Sequence, residues 1–325
     1  MHRRDLLSVL CLLFALGAPA AAQAQPYPAK PVRIVIPYPA GGPVDAIGRR
    51  LAEALQRQTG QPFVIDNRSG ASGSIGADAV AKAAPDGYTL LLTIPDALIN
   101  VASIIRNLPY DPRKDFAFVT QVASSGAALM ADPDLQAGSL AELERAARAK
   151  PGLAFGSWGP GSYPHVLGQA MVRKSGIAYV HVPYRGVAPA VQDLLGHQIG
   201  FTFGPSNLAQ QYAQKGQARV LAVAGPRRSA LLPQVPTFAE QGYADAAFQL
   251  TAWVGLLAPA ATPKAVTEEL QRQVGTTLKD PEFVRFLAAT GFEPIGSSAQ
   301  QFQQDFEREF PLVNALIKST GLTPE

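Results

Sequence analysis

Short apolar runs alternate with amphipathic stretches along the first ninety residues. Val32–Ile36 is rich in β-branched residues, as is typical of a strand buried on both faces of a parallel sheet. Apolar positions then recur at helical spacing until Gly60, the residue expected to end that helix. The strand pattern returns at 63–66 and 88–93, with a helix predicted at 74–84 between them. This alternation predicts a parallel α/β sheet.

A second α/β series follows, and the last third of the chain is helical. Further strands are predicted at 116–122, 127–130, 153–156, 179–182, 199–203, 220–224 and 250–257. After them come three predicted helices, at 263–278, 281–290 and 299–320, without a strand of normal length. A tail with no sheet of its own most simply packs back on an existing domain. The pattern fits a two-lobed α/β protein whose chain crosses between lobes twice.

Residues 1–24 are predicted to be a cleavable signal peptide. Arg3 and Arg4 form a basic start, the apolar run at 6–16 is too short to span a bilayer, and Ala22-Gln23-Ala24 is a typical cleavage site. The paired arginines leave twin-arginine export open beside the general secretory route. We therefore expect a periplasmic protein.

Composition and spacing exclude several classes of function. The 28 Lys and Arg against 25 Asp and Glu are scattered, which predicts no nucleic-acid surface. The single cysteine, Cys11, lies within the predicted signal peptide, so disulfides and zinc–cysteine sites are not expected. His165, His181 and His197 have no metal-binding partner at helical spacing, and no metal or other cofactor is predicted. A G-x-S-x-G nucleophile motif is also missing. The chain is therefore expected to bind a ligand, not to catalyse a reaction.

Two small-residue loops follow the first two predicted strands, at 39–43 and 67–74. Each leads into a predicted helix, where unpaired amides and the positive end of the helix dipole favour an anion. Neither loop is a Walker loop or a complete G-x-G-x-x-G fingerprint, which disfavours nucleotides. Such glycines also serve merely to make tight turns. A third loop at 156–162 carries Trp158, which either stacks on a ligand or packs in the fold.

The same loops carry a family resemblance that extends along the chain. The matching stretches are 36–45 (IPYPAGGPVD), 66–76 (DNRSGASGSIG), 83–90 (AAPDGYTL), 108–116 (LPYDPRKDF) and 182–190 (VPYRGVAPA). They resemble the Bug family, the periplasmic substrate-binding proteins of tripartite tricarboxylate transporters. The order of elements, from signal peptide to helical tail, is similar too.

The resemblance implies a two-lobed periplasmic binding fold of type II, the Venus-flytrap fold, with two parallel or mixed sheets and a helical tail packed on the first lobe. Lobe 1 is expected to comprise 25–124 plus 251–325, and lobe 2 to comprise 125–250. It further implies a small organic carboxylate as ligand, held by backbone amides of the first two loops and completed by the opposite lobe. The residues matching these positions, with Trp158 added, are Pro39, Ala40, Gly41, Gly42, Asp45, Asn67, Gly70, Ala71, Gly73, Ser74, Ser157, Ser162 and His165.

The expected function is capture of a carboxylate and delivery to membrane transporter subunits, by a monomer. A ligand sensor for a signalling partner and a periplasmic hydrolase are the alternatives. Two departures from the family pattern concern the pocket. Pro43 replaces a usual glycine and removes one amide donor, and Trp158 makes the third loop bulkier. We hypothesise that Trp158 favours an aromatic or otherwise apolar acid.

Overall fold

The computed structural model describes residues 27–319, so the predicted signal peptide lies outside the described residues. Its strands are β1 Val32–Ile36, β2 Phe63–Asn67, β3 Thr89–Thr93, β4 Phe116–Ser125, β5 Ala127–Ala131, β6 Ala154–Ser157, β7 Val180–Pro183, β8 Phe201–Pro205, β9 Arg219–Val223, β10 Ala252–Pro259 and β11 Glu293–Pro294. Its helices are α1 Pro43–Thr59, α2 Ser74–Ala81, α3 Val101–Ile104, α4 Leu140–Ala149, α5 Tyr163–Ser175, α6 Val187–Leu195, α7 Ser206–Gln214, α8 Lys264–Thr277, α9 Pro281–Ala289 and α10 Ala299–Ser319. No helix in this range is both long and apolar enough to cross a membrane.

The first sheet has six strands in the order β11-β4-β10-β3-β1-β2. Its β2, β1 and β3 are parallel, as the alternating pattern predicts, and their apolar residues are buried. The late strand β10 enters between β3 and β4 and is antiparallel to both. The sheet is therefore mixed, because a strand from the far end of the sequence completes it.

The second sheet has five strands in the order β7-β6-β8-β5-β9. Parallel pairs join β6 to β7 and β8, and antiparallel pairs join β5 to β8 and β9. Two mixed sheets with helices between their strands confirm the predicted fold class.

The chain passes between the sheets twice, at neighbouring positions. Gly126 alone separates β4 in the first sheet from β5 in the second. The chain returns to the first sheet just before β10. The first residue of β10, Ala252, is paired with Ser125 at the end of β4. A Cβ at position 126 would overlap the carbonyl oxygen of Ala224, which explains glycine at this crossing.

The C-terminal helices pack mainly on the first sheet. Phe302 and Phe306 of α10 lie with ring centroids 4.9 and 5.0 Å from that of Phe118 on β4. This helix also packs against α5, which follows a strand of the second sheet. The tail therefore covers the first sheet and contacts the second near the crossings.

Candidate functional site

The loops that follow β1, β2 and β3 gather at one edge of the first sheet. Because these strands are parallel, their carboxyl ends lie together, and the loops face loops of the second sheet across a cleft. Two cavities occupy the cleft. Tyr38 from the first loop and Trp158 from the loop after β6 line both of them.

One cavity is almost entirely apolar and measures about 290 Å³. We call it the apolar cavity; the start of α1 lines it, together with Ile94, Tyr163, Val187, Pro205 and Phe292. The other, the polar cavity, measures about 460 Å³ and is lined by the loop after β2 and by Asp96, Asn100, Pro160, Gly161 and Ser162. The cleft thus joins a polar compartment to an apolar one.

Asp45 fixes the first loop. Its carboxylate is 3% exposed and accepts hydrogen bonds from the Gly41 amide at 2.9 Å, Arg49 Nε at 2.9 Å and Asn67 Nδ2 at 3.0 Å. Burial would raise the pKa of Asp45, but the hydrogen bonds from Arg49, Gly41 and Asn67 outweigh it and hold the pKa below its usual value. Asn67 also donates to the carbonyl of Tyr38 at 3.1 Å, which ties the second loop to the first.

The start of α1 lines the apolar cavity. Gly42 is the residue before the helix and Pro43 its first residue, so the missing amide of proline falls where no intrahelical bond is lost. The amides of Val44 and Asp45 belong to the first turn and have no acceptor within the helix. Pro43 therefore removes one donor, and two amides without an acceptor in the helix remain in its first turn.

The second loop takes an uncommon backbone conformation. Residues 70 to 73 all have positive φ angles, of 134° at Gly70, 45° at Ala71, 55° at Ser72 and 92° at Gly73. For Ala71 and Ser72 this is a strained region that persists only where the surroundings enforce it. At Gly73 a side chain is also sterically excluded, because its Cβ would lie 2.7 Å from that of Ala97. The turn delivers the chain directly to α2.

The third loop, after β6, is held from behind by Ser157 and His165. Ser157 Oγ lies 2.7 Å from Nε2 of His181, and His165 Nδ1 accepts from the Gly161 amide at 3.0 Å. The two imidazole rings stack with centroids 4.0 Å apart. Burial, and secondarily His181, lowers the pKa of His165 to about 4, so this ring is neutral and its Nδ1 remains an acceptor.

The loop after β3 contributes two polar residues, Asp96 and Asn100, that are not among the predicted site residues. Asn100 Nδ2 donates to Asp96 Oδ1 and to the carbonyl of Gly161, both at 2.7 Å, and the second bond spans the cleft. Burial raises the pKa of Asp96 to about 6. Asp96 follows a third parallel strand at the same sheet edge, and this position could have indicated from the sequence that it belongs to the site.

Comparison with known proteins places this chain in a family. The model of the tripartite tricarboxylate transporter family receptor matches residues 47–322. The chain belongs to this receptor family. It is 34% identical to protein BugT of Bordetella pertussis over 324 residues, covering 99% of both chains. The sequence resemblance to the Bug family is thereby confirmed.

Solved structures of similar proteins confirm the periplasmic binding fold. The R. palustris protein Rpa4515, solved with adipate, is 32% identical; the match covers 92% of this chain and 100% of that one, with a TM-score of 0.79. MatC from Rhodopseudomonas palustris, solved with bound malate, is 27% identical, with coverage of 90% and 100% and a TM-score of 0.74. This solute-binding receptor thus shares its architecture with proteins that hold organic acids.

The predicted site residues of the receptor fall into three groups: those that line a cavity, those elsewhere in the same loops, and those that support the loops from behind. Those that line the two cavities are Pro39, Gly42, Asp45, Gly70, Gly73, Trp158 and Ser162. Ala40, Gly41 and Ala71 lie exposed in the same loops, and Ser74 is buried at the start of α2. Asn67 acts through Asp45, while Ser157 and His165 lie behind the third loop.

A histidine–aspartate cluster lies at the other end of β5, away from the cleft. His197 Nδ1 is 2.9 Å from Asp132 Oδ1 and 3.4 Å from Asp134 Oδ2, a grouping of metal-ligand types. The spacing of these residues along the sequence does not indicate the cluster, because the three residues come from two separate turns. Asp132 already accepts from the Asp134 amide, so ordinary turn bonding accounts for its place.

Proposed function

We propose that this protein is a periplasmic receptor that captures one small organic carboxylate between its two lobes and delivers it to membrane transporter subunits. The observation that carries the proposal is that the start of α1 and the loop leading into α2 line one cleft. Among the described residues lining the two cavities there is no Lys, Arg or His. A carboxylate there would be held by backbone amides and the helix dipoles.

The body of the ligand would occupy the apolar cavity. Its walls offer Trp158, Tyr163, Ile94, Val187 and Phe292, with few polar atoms. A second carboxylate placed there would lose its hydration without a cation or donor to replace water, which costs several kcal/mol by the order of magnitude for buried ions. An acid with an apolar body fits this compartment better than a tricarboxylate does. Adipate and malate in the two similar structures support an organic acid as the ligand class.

We assign residues 25–124 plus 251–325 to lobe 1 and 125–250 to lobe 2, with the crossings at Gly126 and before Ala252 as the hinge. Closure is favoured by ligand contacts that exist only when both lobes touch the ligand. The bond from Asn100 to the Gly161 carbonyl, at 2.7 Å, is the kind of cross-cleft contact that closure would form.

The serine–histidine pair behind the third loop does not support a hydrolytic function. Ser157 lies 2.7 Å from His181 Nε2 but is fully buried, and it lines neither cavity. A nucleophile must reach the substrate carbonyl, so this pair serves the loop. We therefore propose a receptor without catalytic activity.

The test is a thermal-shift screen of residues 25–325 against aliphatic and aromatic carboxylic acids and their primary amides. A ligand at 100 times its Kd stabilises by about 2.7 kcal/mol, which is a shift of several degrees for a chain of this size. We expect shifts with acids and none with the matching amides. Equal shifts with both, or none with any acid, would contradict carboxylate capture.

A further inference from the structure

Asp96 differs from Asp45 in its hydrogen-bond partners. Both oxygens of Asp45 are occupied, by three donors of the first two loops and α1. Asp96 accepts one described hydrogen bond, from Asn100 Nδ2 to Oδ1 at 2.7 Å, and forms no ion pair within residues 27–319. Its side chain lines the polar cavity and keeps partial exposure there. It therefore has spare acceptor capacity that faces the ligand compartment.

An unpaired carboxylate in such a place is unfavourable for the empty protein. Burial alone displaces the pKa of Asp96, to about 6, so the group is still mostly ionised at neutral pH. No basic side chain among the described residues lining the cleft compensates the charge. Buried charges in proteins are normally paired, so a positive partner supplied by the ligand would relieve this cost.

The same cavity also contains the second loop, which leads to the start of α2. The close approach of Gly73 to Ala97 shows that this loop packs directly on the turn that carries Asp96. The loop that leads into α2 and a carboxylate without an ion pair are thus neighbours in one compartment, and the apolar cavity adjoins them across Tyr38 and Trp158. Their arrangement matches a molecule with a carboxylate and a cation close together on an apolar body.

We propose that Asp96 receives an ammonium group of the ligand, and that the ligand class is an amino acid with an apolar side chain. This inference rests on the proposed function, because the carboxylate of the same molecule would sit at the helix starts. A ligand hydroxyl is a weaker fit, because it leaves the charge of Asp96 uncompensated.

The experiment uses sets of acids that share one apolar body. Phenylalanine is compared with 3-phenylpropanoate and its 2-hydroxy acid, and leucine with 4-methylpentanoate and its 2-hydroxy acid, by calorimetric titration and thermal shift. The protein is residues 25–325, as wild type, Asp96→Asn and the control Asp245→Asn. Asn at 96 keeps an oxygen for Asn100 and removes the charge, whereas Asp245 is exposed and lines neither cavity.

We expect the wild type and the control to bind the amino acid of each set most tightly. Asp96→Asn should weaken amino-acid binding by about 30-fold or more, the effect of removing one member of a desolvated charge pair. It should leave binding of the unsubstituted acids unchanged or improved. The comparison within wild type needs no variant, so a folding defect in Asp96→Asn would not remove the test.

The outcomes separate this inference from the function on which it rests. If the unsubstituted acids bind and the amino acids do not bind more tightly, Asp96 does not receive an ammonium group while carboxylate capture stands. Tighter binding of the hydroxy acids than of the amino acids overturns the inference in the same way. If no acid of any set, or of the wider carboxylate screen, shifts the protein, both are wrong.

Discussion

Replacing Asp45 by Asn should uncouple the first loop from the second and weaken both stability and ligand binding. The Asp45 carboxylate is buried and accepts three hydrogen bonds of 2.9 to 3.0 Å, from Gly41, Arg49 and Asn67. An amide in its place turns one acceptor into a donor that faces another donor. The lost charge-assisted bond and the unsatisfied buried donor together cost about 2–4 kcal/mol. At about 2–4 °C per kcal/mol, Tm should fall by roughly 4–16 °C.

The pH dependence provides an independent check of the same network. Because the folded-state pKa of Asp45 is held below its unfolded value, its ionised form stabilises the protein above an unfolded pKa of about 3.9. That contribution is lost as pH falls through the folded pKa. The difference in unfolding free energy between wild type and Asp45→Asn should therefore be largest near pH 7 and narrow below pH 4.

Urea unfolding of the ligand-free proteins measures these differences, and calorimetric titration with the strongest acid from the screen measures binding. Arg49→Ala is the matched control, since Arg49 donates to the same carboxylate from a side chain that is 51% exposed. It should have a much smaller effect. An Asp45→Asn protein that is as stable as wild type at pH 7, with the same ligand affinity, would refute the role given to this network.

Three further predictions concern the cleft wall, the crossing at Gly126 and a buried acid. Trp158 Nε1 is buried without a hydrogen-bond partner in the described structure, so Trp158→Phe should preserve stability and binding. Trp158→Ala should instead merge the two cavities and weaken the binding of apolar acids, as measured by calorimetric titration. Gly126→Ala should destabilise the chain to urea because its Cβ overlaps the Ala224 carbonyl, while Gly275→Ala, in open space on α8, should stabilise it by about 0.5–1 kcal/mol. Burial raises the pKa of Glu309 to about 7, so its ionisation opposes folding above the unfolded pKa of about 4.3. Glu309→Gln should therefore gain stability over wild type by a few kcal/mol at pH 8 and much less at pH 5, and equal effects at the two pH values would contradict this.

The periodicity of the chain predicted most helices and strands, because the apolar positions in their sequences are the positions that the fold buries. The apolar run of β1 is buried throughout except at Arg33, and α1 begins at Pro43 and is capped by Gly60 in the left-handed conformation, as the helix signals indicate. Strand β11 in the C-terminal tail was harder to predict, because it has two residues and shows no alternation of apolar and polar positions. The insertion of β10 between β3 and β4 depends on long-range pairing, which local pattern does not encode.

The site was predictable at the level of loops and much less at the level of side chains. The two helix starts that we propose as the carboxylate site follow glycine-rich segments placed after parallel strands. The sequence could not show that His165 accepts from the Gly161 amide, because that bond depends on the local conformation of the third loop. Nor could it show that Asn100 reaches across the cleft, because that contact joins parts of the chain 61 residues apart. Asp96 carries no local signal of a ligand role, because its surroundings form only when the second loop packs on the loop after β3.

The central claim is that a carboxylate is held by helix starts between the two lobes. A crystal structure of residues 25–325 with the strongest acid from the screen tests it most directly. We predict the ligand carboxylate within hydrogen-bond distance of amides at the start of α1 or α2, with the apolar body against Trp158. A carboxylate bound outside the cleft, or paired with an Arg or Lys side chain, would contradict the account.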